Sequence, residues 1–312
     1  MKPTILLTGK SGQLGSELFR LLPKLGEVIA PERSELDLRA PEKIAEVMRN
    51  ARPQLVVNAG AYTAVDAAES DEVAAYAVNA EAPELLAVEA KKLGAILIHF
   101  STDYVFDGSK RSPYSETDPV NPINAYGRTK LAGEEAIRNS GAAHLIFRTS
   151  WVYATHGRNF LLTILRLATE RAELKVVDDQ IGAPTCAFAL AHATTEILTG
   201  IIAKRQSGLL SAGVNGTYHM TAAGQTTWYE FAKTILEEVS HVRGDLPWLA
   251  SATGARPIIA RRVLPISTQE FRSPTVRPAY SVLMNARLMR EFGVALPDWR
   301  MQLEAVFLPN PS

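Results

Sequence analysis

The chain has 312 residues and a mass of 34.0 kDa, about twice a typical domain, so it holds one large or two modest domains. Apolar residues make up 46% and charged residues 21%, which excludes disordered, collagen-like and disulfide-dense classes. The 33 Lys and Arg balance 33 Asp and Glu, which removes the basic field of a dedicated nucleic-acid binder.

The single cysteine, Cys186, fits a reducing compartment. The apolar run near Met1 is too short for a signal peptide, and no stretch approaches the ~18 apolar residues of a membrane span. A cytoplasmic protein is expected.

The first 150 residues alternate short apolar runs with longer amphipathic ones, the pattern of βαβ units on a parallel sheet. Thr4–Thr8 reads as a strand buried on both faces, and Glu17–Leu25 as a helix with Leu18, Leu21, Leu22 and Leu25 on one side. Glu27–Ala30 and Leu55–Ala59 read as strands, with a helix from Pro41 to Asn50 between them. Asp71–Leu93 reads as one long helix, Ala95–Ser101 as the fourth strand, Ile123–Ser140 as a helix and His144–Thr149 as the fifth strand. Gly127 and Gly133 inside that last helix predict close packing there, since each costs about 1 kcal/mol relative to Ala.

Helices are expected near Arg158–Glu170, Cys186–Thr199, Trp228–Ser240 and Ala286–Phe292. Five prolines punctuate 245–280, which reads as irregular and surface-covering. The expected architecture is a Rossmann-like, doubly wound α/β sheet over 1–150. A smaller mixed α/β substrate lobe follows over 151–312, with some segments returning to the first domain.

Gly9-Lys10-Ser11-Gly12-Gln13-Leu14-Gly15 follows the first strand and opens a helix. Its three glycines permit a tight turn and bring bare backbone to a pyrophosphate, and the helix N-terminus adds free N–H groups. The GxxGxxG spacing points to the tyrosine-dependent reductases. Past the second strand stand Glu32 and Arg33. A carboxylate there favours NADH through the ribose hydroxyls, whereas a guanidinium favours the 2′-phosphate of NADPH. Both cofactors are expected to work, with a modest NADPH preference from Arg33. Asn58 ends the third strand, where it either lines the ligand crevice or caps a turn.

Tyr126 and Lys130 stand four residues apart, on one face of a helix. A nearby cation favours the phenolate, so Lys130 is expected to lower the pKa of Tyr126 from its usual value of about 10. Such a phenol can give a proton to a carbonyl oxygen as hydride reaches the carbon. Thr102 falls at the carboxyl end of the fourth strand, where its hydroxyl can hold the same oxygen.

On these residues the chain resembles the extended short-chain dehydrogenase/reductases, and among them the reductases of 4-keto nucleotide sugars. The matching pieces are Gly9–Gly15, Asn58–Asp66, Ser101–Phe106, Tyr126–Gly133, Phe147–Tyr153, Asp179–Thr185 and Thr227–Tyr229. The resemblance implies Thr102, Tyr126 and Lys130 as the catalytic set. It implies that Gly12, Gln13, Leu14, Asp37, Leu38, Ala61, Tyr62, Thr63 and Phe100 line the cofactor site. Thr102, Asp103 and Trp151 would touch the sugar nucleotide, and the region around Arg277 would belong to the substrate lobe. The implied reaction is reduction of the C4 ketone of dTDP-4-dehydro-L-rhamnose by NADPH or NADH.

Magnesium-bridged dimers of this family use three glutamates. Glu17 matches the first, but Phe188 stands at the second and the tail offers no third. No metal is therefore expected, and a monomer or weak homodimer is. The six histidines show no metal-binding spacing, and His99 and His144 read as hydrogen-bonded strand residues. Trp248, Trp299 and Cys186 read as packing residues. Two other functions remain open at this point: a non-catalytic dinucleotide-binding regulatory subunit, and a nucleotide-sugar epimerase or dehydratase.

Overall fold

The computed structural model describes residues 2–207, 215–242 and 245–308; the rest of the expected 151–312 lobe lies outside them. The first half runs β1 (Thr4–Thr8), α1 (Gln13–Leu21), β2 (Glu27–Ile29), α2 (Pro41–Ala51) and β3 (Leu55–Asn58). It continues through α3 (Val65–Ala68), α4 (Glu72–Tyr76), α5 (Ala82–Leu93), β4 (Ile96–Thr102), α6 (Ala125–Ser140) and β5 (Ala143–Thr149). The strands are parallel, and β2 and β3 flank β1 on opposite sides. The order in which strands are added therefore reverses between β1 and β3, and the crevice beyond their carboxyl ends is where such sheets take ligands.

Alternation along each strand feeds two cores. Ile5, Leu7, Val57 and Ile98 meet Leu14, Leu18 and Leu22 on one face. Leu6, Val56, Leu97 and Ile146 meet Ile44, Met48, Leu86 and Ile137 on the other. Both faces are covered, so the strands read as unbroken apolar runs rather than alternating ones. Truncating Leu18, which is 0% exposed, to Ala would cost about 2–5 kcal/mol.

The expected single helix Asp71–Leu93 is interrupted. A π turn at Ala77–Glu81 separates α4 from α5. Pro83 has no N–H to complete the regular ladder, and the wider turn precedes it.

The second half supplies β6 (Val152–Tyr153), α7 (Phe160–Glu170), β7 (Glu173–Val177), β8 (Ile181–Gly182), β9 (Thr185–Cys186) and α8 (Ala187–Gln206). β10 (Asn215–His219) returns to the central sheet beside β5, giving the order β10-β5-β4-β3-β1-β2. Then come β11 (Thr226–Thr227), α9 (Trp228–His241), α10 (Pro247–Thr253), β12 (Arg262–Ile266), α11 (Thr268–Phe271), α12 (Ala286–Phe292) and α13 (Trp299–Val306). Leu161, Leu165, Phe231, Ile235, Trp299 and Leu303 form a separate core there.

The 245–280 stretch is not irregular throughout, as its prolines suggested. Pro247 opens α10, where its missing N–H costs nothing, and Pro265 sits in β12, which among the described residues pairs with β7 alone. No helix among the described residues is long and apolar enough to cross a membrane.

Candidate active site

Gly9 takes a φ of +70°, and a Cβ there would stand 2.6 Å from the Gly60 nitrogen. A Cβ on Gly15 would strike the Gly9 carbonyl, so β1, α1 and the end of β3 meet with backbone against backbone. The Gly12 N–H donates to the Gly9 oxygen at 2.9 Å. Gly12 caps α1 with no side chain, which leaves the N–H groups of its first turn open, and Ser11 and Gly12 are exposed. Leu14 is buried in the core beneath, and Gln13 Oε1 accepts a bond from Asn159 of the second lobe at 2.8 Å. Bare backbone ahead of a helix N-terminus is an arrangement that can cradle an anion.

The acid and the cation after β2 are unequally engaged. Glu32 pairs with Lys10 at 2.9 Å, whereas exposed Arg33 has no ion pair among the described residues. Asp37 grips Arg39 at 2.6 Å, and those bonds pull its carboxyl down to about 2. Leu38 reaches toward Gly60, where a Cβ would stand 2.6 Å from Leu38 Cδ1. Ala61, Tyr62 and Thr63 follow β3 as a loop, which Asn79 of the π turn pins. Asn79 Oδ1 accepts from the Tyr62 N–H at 2.9 Å, and its Nδ2 donates to the Tyr62 carbonyl at 3.1 Å.

Helix α6 docks unusually close to its neighbours. Asn124 caps it by accepting from the Gly127 N–H at 2.8 Å. A Cβ on Gly127 would strike the Tyr104 carbonyl, and one on Gly133 would strike the Asn79 carbonyl. The two helical glycines exist for this approach, which brings Tyr126 and Lys130 against the end of β4. Lys130 is 1% exposed, and its Nζ donates to the Phe100 carbonyl at 2.6 Å and meets His99 Nε2 at 3.2 Å. Thr102 is buried, donates to Asp103 Oδ1 at 3.0 Å and accepts from the Tyr104 N–H at 3.2 Å. The rings of Tyr104 and Tyr126 meet edge-on, 5.7 Å apart.

The electrostatics correct one expectation. Burial pushes the Tyr126 phenol up to about 12, and the Thr102 hydroxyl beside it pulls only partly the other way. Lys130 does not lower it, because its ammonium points at Phe100 and His99. Burial brings Lys130 itself down to about 8. Burial also raises Asp103 to about 7, and its Oδ2 has no partner among the described residues.

Beneath the site, Glu134 is 0% exposed and holds Arg148 through two bonds, at 2.8 and 2.7 Å. Trp151 stands at the rim with a φ of +47° and stacks on Trp228. Cys186 is buried, and burial lifts its thiol to about 11. Glu17 pairs with Arg20 at 3.2 Å, and Phe188 packs on His192 with centroids 4.2 Å apart. Among the described residues no three His, Cys, Asp or Glu side chains gather as metal ligands.

Sequence reasoning missed Asn79 and the ion pair of Glu134 and Arg148. The i+14 spacing of the pair carries no local signal. Asn58 is buried with its side chain bonded across the sheet to Thr8 and His99, so it does not cap a turn.

The model of the RmlD substrate binding domain family matches residues 1–309. The dTDP-4-dehydrorhamnose reductase of Burkholderia thailandensis is 50% identical over 296 residues, 95% of this chain and 95% of its own. A crystal structure of the Clostridium acetobutylicum reductase of that name superposes with a TM-score of 0.83 at 36% identity, covering 96% of this chain and 97% of its own. The Bacillus anthracis reductase, solved in complex with NADP, gives 0.83 at 34% identity over 98% and 99%.

Proposed function

The chain belongs to the RmlD family of dTDP-4-dehydrorhamnose reductases, and from that membership we propose how its residues reduce the C4 ketone of dTDP-4-dehydro-L-rhamnose. The protein is an oxidoreductase that uses NAD(P)H. What supports the residue assignment is that Tyr126 and Lys130 on α6 lie against Thr102 and Phe100 at the carboxyl end of β4, the same edge of the sheet as the glycine turn after β1.

The cradle fits a dinucleotide. Gly9 and Gly15 leave no room for Cβ atoms, and α1 presents uncapped N–H groups suited to a pyrophosphate. Gly12, Gln13 and Leu14 would lie along it, with Arg33 toward the adenosine end and Ala61, Tyr62, Thr63 and Phe100 along the nicotinamide side. When bound, the reduced nicotinamide supplies the hydride.

The chain's own residues then handle the oxygen. With its hydrogen turned from Asp103 to the substrate, the Thr102 hydroxyl holds the ketone oxygen in line with Tyr126. A phenol near 12 stays protonated through the neutral range, so Tyr126 acts as acid and releases its proton only as negative charge builds on that oxygen. Lys130, on the same helix face, supplies positive charge while it is protonated. Asp103 and Trp151 contact the sugar nucleotide. Arg33, with no ion pair among the described residues where Glu32 has one, tilts the preference toward NADPH.

Loss of NADPH absorbance with dTDP-4-dehydro-L-rhamnose, set against the UDP analogue, tests this reading. Stoichiometric NADPH consumption is expected, with the dTDP sugar preferred. Turnover without net consumption would favour an epimerase, and binding without turnover a regulatory subunit.

A further inference from the structure

Beneath Lys130 lies a line of buried polar side chains that the reaction above does not use. Thr8, Asn58 and His99 come from β1, β3 and β4 at one level of the sheet, Thr8 opposite Asn58 and Asn58 opposite His99. They are 1%, 1% and 0% exposed. The Thr8 hydroxyl meets Asn58 Oδ1 at 2.6 Å, Asn58 Nδ2 meets His99 Nδ1 at 3.0 Å, and His99 Nε2 meets Lys130 Nζ at 3.2 Å.

Hydrogen counting makes this line a two-state device. Burial, and then the charge of Lys130, keeps His99 neutral. A neutral imidazole has one N–H and one bare nitrogen. An ammonium only donates, so a charged Lys130 requires Nε2 bare and the hydrogen on Nδ1. Asn58 must then turn its oxygen to the ring and its NH₂ to Thr8. An uncharged lysine keeps two N–H groups and gains a lone pair, so it can stay bonded to the Phe100 carbonyl while accepting from Nε2–H, and Asn58 then presents its NH₂ to a bare Nδ1. The states differ by one proton on Lys130, one imidazole tautomer and one amide rotation.

We propose that Asn58 and His99 form a tautomer-coupled support that sets the charge of Lys130, with His99 as the positioning residue. The inference rests on the assignment of Lys130 to the catalytic set. With burial bringing Lys130 to about 8, both states lie within reach of ordinary working pH. The other titratable groups facing the Tyr126–Lys130 surface are Asp103 and Tyr104 after β4, Tyr62 after β3, Glu134 on α6 and Arg148 on β5. Glu134 favours the ammonium, but both its oxygens are already held by Arg148. His99 is therefore the one titratable side chain among the described residues bonded to Lys130 Nζ.

Three variants and one measurement on the unaltered protein test this. His99→Leu removes both nitrogens, and His99→Gln keeps an acceptor near the Nε2 position. Asn58→Asp offers only acceptors, which holds the hydrogen on Nδ1 and favours charged Lys130. The alkaline limb of the kcat/KM profile should move down by about one pH unit in His99→Leu, the scale of one lost bond to a charged group. It should return toward the parent position in His99→Gln and move up in Asn58→Asp.

A merely structural role would lower activity at every pH and leave the limb in place. In the unaltered apoprotein, nitrogen NMR of His99 should show Nδ1–H below the Lys130 titration and Nε2–H above it. An unchanging tautomer, or the same limb in His99→Leu and His99→Gln, overturns the proposal. A tautomer that switches while no variant moves the limb upholds the coupling and overturns the catalytic reading of Lys130.

Discussion

The indole of Trp151 lies flat on that of Trp228, with ring centroids 3.5 Å apart and planes within 6°. Gly182 closes on the same ring, so tightly that a Cβ there would strike the Trp151 indole. Trp151 needs this support because its φ of +47° is left-handed, a conformation costing on the order of 1–3 kcal/mol in a non-glycine residue. The stack, not local backbone preference, holds the ring beyond the carboxyl end of β5. Trp228→Ala should raise the KM for the nucleotide sugar by up to about tenfold, since an aromatic pair is worth about 0.5–1.5 kcal/mol. The KM for NADPH should stay as it is, and an equal rise in both would show that Trp151 does not serve the sugar.

Tyr126→Phe removes the hydroxyl and keeps the ring against Tyr104. Turnover should fall about 10²–10⁴-fold, the usual contribution of a positioned acid, with the Kd for NADPH nearly unchanged. Near-normal turnover in a folded variant would eliminate Tyr126 as the proton donor.

Arg33→Ala should raise the KM for NADPH several-fold more than that for NADH. The exposed guanidinium is free to meet a 2′-phosphate, while Glu32 already neutralises Lys10. Equal changes for the two cofactors would mean that Arg33 points away from the ribose.

Asp103 titrates near 7 in the fold against 3.8 as a free side chain, so between those values the native state holds a proton that the unfolded chain has lost. Stability therefore falls as pH rises across that window and stays lower above it. Asp103→Asn should raise Tm at pH values above the window, by the equivalent of a few kcal/mol at most, and much less at its acid end. Thermal melts at both ends check this; a gain of the same size at both would place its origin elsewhere.

Arg148→Met removes two bonds from the buried Glu134 carboxylate and leaves it with the half-exposed Arg138 at 3.1 Å, so it should cost up to about 3–5 kcal/mol, read as a lower denaturation midpoint. Adding Glu134→Leu should recover most of the loss, because the penalty lies in the poorly compensated buried charge. A double variant as weak as the sum of the singles would contradict that.

Features that depend on neighbours along the chain were legible in the residues themselves. The turn at Gly9–Gly15 needs only local glycines, and the Tyr126–Lys130 face needs only helical spacing. The buried strands announce themselves as apolar runs because both faces of the sheet are covered. The mid-helix glycines signalled close contact but not its partners, the Tyr104 and Asn79 carbonyls.

What the tertiary structure alone decided are contacts set by strand register and by distant segments. Asn58 meets His99 because β3 and β4 pair at that level, 41 residues apart in the chain, and no spacing rule encodes that. Glu32 spends its charge on Lys10 across the β1 turn, and Arg148 finds Glu134 beneath a helix that two glycines let descend. The phenol's acidity was misjudged from sequence for the same reason. Spacing reveals that a lysine stands four residues away, but burial and the direction of its Nζ, which only the packed fold fixes, determine which group that charge serves.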